Sequence, residues 1–143
     1  MKNATEHADS EWTDIDGLRV RPGRAYPFGA APVKQGVQFS VFSRNATAVS
    51  LLLFDNPADS IPAHEIKLES PRFRTGDCWH VLVEGLTAGQ FYLYRVDGPY
   101  SPSEGHRFNR NKVLIDPYTK ALTGNFRWNL KDTFGFIPGH PDE

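Results

Sequence analysis

The run Gly36-Val37-Gln38-Phe39-Ser40-Val41-Phe42-Ser43 and, after a short turn, Ala48-Val49-Ser50-Leu51-Leu52-Leu53-Phe54-Asp55 decide the fold class. In the first, Val37, Phe39 and Val41 alternate with Gln38 and Ser40, the period-two pattern of a strand buried on one side. In the second, Val49, Leu51 and Leu53 share one side while Leu52 and Phe54 take the other. Apolar on both sides, it reads as a central strand covered on both faces.

Outward from this pair the same pattern recurs. Trp79, Val81 and Val83 alternate with His80 and Glu84, and Gln90 to Val96 is rich in aromatics (Phe91, Tyr92, Tyr94). His64 to Leu68 and Lys112 to Asp116 are weaker strand candidates. Turn signals separate them: Ser43-Arg44-Asn45, Asp55-Asn56-Pro57, Thr75-Gly76-Asp77, Thr87-Ala88-Gly89 and Asp97-Gly98-Pro99. No segment carries an extended helical stripe, and at most one helical turn is expected, near Tyr118 to Leu122. The spacing predicts an all-β chain, an immunoglobulin-like β-sandwich of about seven short strands. Gln90 to Val96 is apolar on both sides, so one of its faces is expected against another domain as well as the core.

The ends read differently. Residues 1–18 are polar and acidic, with Glu6, Asp9, Glu11, Asp14 and Asp16, and are expected to form a flexible tail in which only Trp12 has a reason to dock. The domain is expected over 19–122. From 123 to 143 the chain turns irregular, with Phe126, Trp128, Phe134 and Phe136 among glycines and prolines. Aromatics in such a segment need covering, so it reads as a connector toward a partner domain.

Of 143 residues, 16 are basic and 17 acidic, a net charge of -1 that offers no global attraction to nucleic acid or to an anionic membrane. The longest apolar run, Val49 to Phe54, is far too short to span a bilayer. Cys78 is alone, which excludes an internal disulfide and a cysteine-rich zinc site. A lone thiol and a polar N-terminus without the apolar core of a secretory signal predict a cytoplasmic protein.

Chemistry-bearing constellations are few. Glycoside hydrolysis needs two carboxylates held across the bond, and only Asp97, Glu104 and Asp116 bunch in one stretch. Asp97 precedes Gly98-Pro99 and Asp116 precedes Pro117, so both read as turn-formers. A (β/α)₈ barrel takes about 250 residues and does not fit. His7, His64, His80, His106 and His140 are scattered without a metal-binding spacing, so no metal and no cofactor is expected. His80, beside Trp79, is expected to face solvent or an interface, and Cys78 reads as a small buried residue. The stretch His106-Arg107-Phe108-Asn109-Arg110-Asn111-Lys112 is basic with an aromatic and two amides. It suits phosphates and a stacked base, sugar hydroxyls beside an apolar platform, or a plain structural turn; the near-neutral charge argues against nucleic acid.

At these residues the chain resembles the N-terminal region of bacterial glycogen-debranching enzymes and isoamylases. Carrying the resemblance are Tyr26-Pro27-Phe28-Gly29-Ala30, Gly36 to Ser43, Val49 to Asp55, and Trp79-His80. The Gly85-Leu86-Thr87-Ala88-Gly89 turn, Tyr92-Leu93-Tyr94-Arg95-Val96-Asp97-Gly98-Pro99-Tyr100, Gly105 to Asn109 and Asn111 to Tyr118 follow in order, so that it covers roughly 19–130. It implies a family 48 carbohydrate-binding module of the early-set immunoglobulin type, ahead of a family 13 glycoside hydrolase barrel that cleaves α-1,6 branch linkages of glycogen or limit dextrins. The acids of that reaction belong to the barrel, so no catalytic residue is carried over. Its implied partners are α-glucan and the catalytic barrel of the same polypeptide, with 123–143 leading to it. Related modules that bind glycogen strongly use two tryptophans, a lysine and an asparagine. One tryptophan position falls near Asp55 or Asn56, which are not aromatic, the other near Tyr100, and the asparagine corresponds to Asn111. The resemblance thus implies an accessory domain that buttresses the barrel, with weak α-glucan contact through Tyr100, Arg107 and Asn111. An autonomous glycogen-targeting module is the alternative.

Overall fold

In the computed structural model, which describes residues 11–124, the alternating segments close two sheets over one core. The first sheet runs β1 (Thr13–Ile15), β2 (Leu18–Arg21), β8 (Cys78–Glu84), β4 (Gly36–Phe42), β3 (Gly29–Val33), with β7 (Arg74–Thr75) paired to β8. The second runs β12 (Val113–Leu114), β9 (Phe91–Asp97), β5 (Ala48–Phe54), β6 (His64–Leu68). A small separate hairpin joins β10 (Tyr100–Ser101) to β11 (His106–Arg107). All pairings are antiparallel. This is the expected immunoglobulin-like sandwich.

Register shows why these strands face each other. Val37, Phe39 and Val41 of β4 lie directly opposite Val83, Val81 and Trp79 of β8. Across the sandwich stand Val49, Leu51 and Leu53 of β5, with Tyr94 and Val96 of β9 and Ile66 and Leu68 of β6. Every second residue of five strands thus enters one buried cluster, the expected outcome of period-two patterning. Trp79, almost fully buried, donates its Nε1–H to the Ser43 carbonyl at 3.1 Å and carries the Arg74 guanidinium over its ring at 4.7 Å. As expected, β5 is central and buried on both faces, Leu52 and Phe54 included. On its outer face the Arg95–Glu65 ion pair (3.1 Å) crosses between Ser50 and Leu52.

Four expectations need correction or fall outside view. Residues 13–18 are not tail but a hairpin, β1–β2, turned by Asp16 (φ 51°) and Gly17 (φ 78°). Two consecutive positive φ values are the requirement of a two-residue hairpin turn, which Asp-Gly meets. The turn is tied across to β6: the Asp16 carboxylate accepts the Glu65 N–H at 2.8 Å. Trp12 docks under Arg19 and Arg21, 5.2 and 4.8 Å from its ring centre. No helical turn forms at 118–122; the short helical turn among the described residues is a 3-10 turn at Pro102–Glu104. His80 does not face solvent; it is buried, Nδ1 donating to the Pro22 carbonyl at 2.6 Å and Nε2 meeting the Thr75 hydroxyl at 2.8 Å. The readings of residues 1–10 and of the connector from 125 onward lie outside the described residues.

His80 belongs to a wider device. The outer face of the first sheet is polar in sequence yet buried, because residues 22–26 lie across it. Gln38 accepts the Arg24 N–H at 2.9 Å and donates to the Arg24 and Tyr26 carbonyls at 2.9 and 3.1 Å, while Ser40 donates to the Ala25 carbonyl. Each buried polar group is satisfied by a backbone that has no strand partner of its own there.

Candidate functional site

The site expected at Tyr100, Arg107 and Asn111 is built outward from Asp97. The Asp97 carboxylate accepts the Gly98 N–H at 2.9 Å, and its carbonyl accepts the Thr47 N–H at 2.9 Å, which fixes where the chain leaves β9. Next, the Phe108 ring lies flat against Gly98. A Cβ on residue 98 would stand 2.7–2.9 Å from three ring carbons, so only glycine admits the ring. Phe108 also packs on the main core and donates its N–H to the Pro99 carbonyl at 3.4 Å.

On this base stands β10–β11, with Tyr100 directly opposite Arg107 and Ser101 opposite His106. Its tip is the 3-10 turn, ended by Gly105 at φ 85°. Tyr100 is 47% exposed and Arg107 is exposed, so an aromatic ring and a guanidinium stand side by side on a braced hairpin. Asn111 is not on this ladder. It lies exposed one turn further on, where the Asn109 side chain accepts the Asn111 N–H at 2.9 Å and the Asn109 carbonyl accepts the Lys112 N–H at 3.1 Å. The turn delivers the chain to β12 alongside Arg95 and Tyr94.

The carboxylates do other work. Asp116 is 2% exposed; one oxygen accepts the Tyr92 hydroxyl at 2.7 Å and the other the Tyr118 N–H at 2.8 Å. Burial first, and the bond to Asp116 second, hold the Tyr92 hydroxyl well above its ordinary pKa. Asp97 serves the turn already described, leaving Glu104 at the hairpin tip. Cys78 is buried, and burial, then Asp77, push its thiol upward, away from the reactive thiolate. Among the described residues no group of three or more His, Cys, Asp or Glu is placed to hold a metal ion, and no helix is long and apolar enough to cross a membrane.

Two further surfaces remain, the first on the outer side of Gln90 to Val96 that the sequence pattern marks as apolar, the second not visible from spacing. Beside the outer face of β9, Phe54, Phe91 and Leu93 line an apolar groove closed by residues 115–123, where Ile115 and Leu122 are exposed. At the opposite sheet, Tyr26, Phe28 and Tyr118 form an aromatic group whose members lie up to 92 positions apart.

Residues 27–119 match the family described as carbohydrate-binding module 48, the isoamylase N-terminal domain. The chain is 41% identical over 133 residues to isoamylase 3, chloroplastic, of Oryza sativa subsp. japonica, covering 86% of this chain and 17% of that one. It is 46% identical over 102 residues to a glycogen debranching enzyme of Yersinia pseudotuberculosis serotype O:1b, covering 71% and 14%. The apo pullulanase of Paenibacillus barengoltzii shares the fold, with a TM-score of 0.53 at 22% identity over 69% of this chain and 13% of that one. The chain therefore spans 14–17% of the length of these two sequence relatives.

Proposed function

The chain belongs to the carbohydrate-binding module 48 family, and from that premise we propose that it serves an α-1,6-glucan debranching hydrolase as a non-catalytic accessory domain. In this reading it buttresses the catalytic barrel and contributes weak α-glucan contact through Tyr100, Arg107 and Asn111.

The observation that carries it is the Tyr100–Arg107 pair on its Gly98–Phe108 base. A phenol ring gives the apolar face of a pyranose something to lie on, and the guanidinium fork donates to neighbouring hydroxyls. Contact is weak because the second aromatic position that the resemblance implies falls near Asp55 or Asn56, which carry no ring. The groove of Phe54, Phe91 and Leu93, with exposed Ile115 and Leu122 beside it, supports the buttressing role.

Calorimetry with β-cyclodextrin tests the binding half. The chain should bind with millimolar affinity and Tyr100→Ala should sharply reduce the heat; a flat trace for the unaltered chain at millimolar sugar eliminates glucan contact. Release of reducing ends from a branched dextrin by this chain alone overturns the accessory role. The described residues by themselves bury one continuous core, which favours one second reading, an autonomous glycogen-targeting module. Micromolar affinity would select it.

A further inference from the structure

We propose that Tyr26, Phe28 and Tyr118 form a second sugar-stacking platform, and that the groove beside Tyr26 receives the hydroxyls of the same α-glucan chain. This rests on the reading of the chain as a glucan-contacting module and adds a site remote in sequence from Tyr100.

The ring of Phe28 lies 4.7 Å from that of Tyr26 and 5.1 Å from that of Tyr118, tilted by 46° and 43°. The two tyrosines that flank it are 65% and 56% exposed. Three rings in contact would ordinarily be core; here the outer two are left to solvent.

The rings are held before any ligand arrives. Gly29, at φ 87°, brings its backbone so close to Tyr118 that a Cβ would stand 2.9 Å from the Tyr118 carbonyl oxygen. The Tyr118 N–H is fixed by buried Asp116, the Lys120 ammonium donates to the Ala30 carbonyl at 2.8 Å, and Gln38 holds the Tyr26 carbonyl. A platform fixed in advance loses little freedom on binding, which is what a weak, repetitive ligand requires.

The groove supplies hydrogen-bond donors beside the rings. Next to Tyr26 and Pro27 its wall carries Arg21, Arg24, Gln35 and Arg72. Guanidinium and amide donors beside an exposed aromatic face suit the rows of hydroxyls on a sugar chain. Arg72 is held in place, donating to the Glu11 carbonyl at 2.7 Å with its guanidinium 5.3 Å from the Phe73 ring centre.

The test is an NMR titration of the full chain with maltoheptaose, following aromatic and amide signals. Ring signals of Tyr26 and Tyr118 should move saturably. Tyr26→Ala with Tyr118→Ala should weaken association about tenfold while signal dispersion and the urea midpoint stay near those of the parent chain. Tyr26→Phe with Tyr118→Phe, which keeps both ring faces, should restore the parent affinity. Shifts confined to Tyr100, Arg107 and their neighbours overturn the platform and leave the Tyr100 reading standing; no shifts anywhere overturn both.

Discussion

Replacing Gly98 with alanine should destabilise the domain for a reason confined to one ring. Gly98 has no positive φ, so its backbone does not require glycine. What requires it is Phe108, whose Cγ, Cδ2 and Cδ1 would lie 2.7, 2.8 and 2.9 Å from the new Cβ. Overpacking of this kind costs ~1–3 kcal/mol. The reduced freedom of the unfolded chain returns ~0.4–1 kcal/mol, leaving a net loss of about 1–2 kcal/mol by urea unfolding followed by tryptophan fluorescence. In a Phe108→Ala background the clash has no partner, and Gly98→Ala should become neutral or slightly stabilising. The two sites should therefore couple by more than 1 kcal/mol, in the range expected for residues in contact. Amide signals of Tyr100 and Arg107 should shift in the single variant, because Phe108 supports their hairpin. An equal cost of Gly98→Ala in both backgrounds, or a stabilised single variant, refutes the reasoning.

Other perturbations test the core and its cover. The Tyr94 hydroxyl is buried with no hydrogen-bond partner among the described residues, so Tyr94→Phe should raise stability by about 1 kcal/mol, seen as a higher urea midpoint; a clear loss would contradict it. Tyr92 and Tyr94 both hold their protons above the ordinary tyrosine range, with burial the leading cause. The folded state keeps protons that the unfolded chain releases near pH 10, so their contribution is whole below that pH and is lost above it. The urea midpoint should fall from about pH 10 upward and fall less steeply in a Tyr92→Phe, Tyr94→Phe variant; an equally steep fall in both proteins would remove the tyrosines from the account. Gln38→Leu strips partners from the Arg24 N–H and from two carbonyls. It should cost about 1–3 kcal/mol and speed proteolysis within 22–28, and unchanged cleavage would show that the segment is held by something else.

How far the sequence speaks depends on the range of the contacts involved. The strands of the core were legible because Val37, Phe39 and Val41, or Trp79, Val81 and Val83, announce their face within a few residues. Hairpin β1–β2 was hidden by its acids, although Asp16-Gly17 between alternating Thr13, Ile15, Leu18 and Val20 is a strong local turn signal. The burial of Gln38, Ser40 and His80 could not be read, because the segment that covers them bonds across 12 to 58 positions. At the site, the residue types in 97–111 pointed to Tyr100, Arg107 and Asn111. The cross-strand pairing of the first two, and the glycine–phenylalanine contact beneath them, arise only in three dimensions. Tyr26 and Tyr118 gave no joint signal, since proximity across 92 positions leaves no periodicity.

Electrophoresis of the full chain through native gels cast with and without glycogen tests the account most directly. Contact with α-glucan predicts slower migration in the glycogen gel, with mobility restored by free β-cyclodextrin and raised toward the free value by Tyr100→Ala. Identical mobility in the two gels, at glycogen concentrations that retard a known glucan-binding protein, would contradict it.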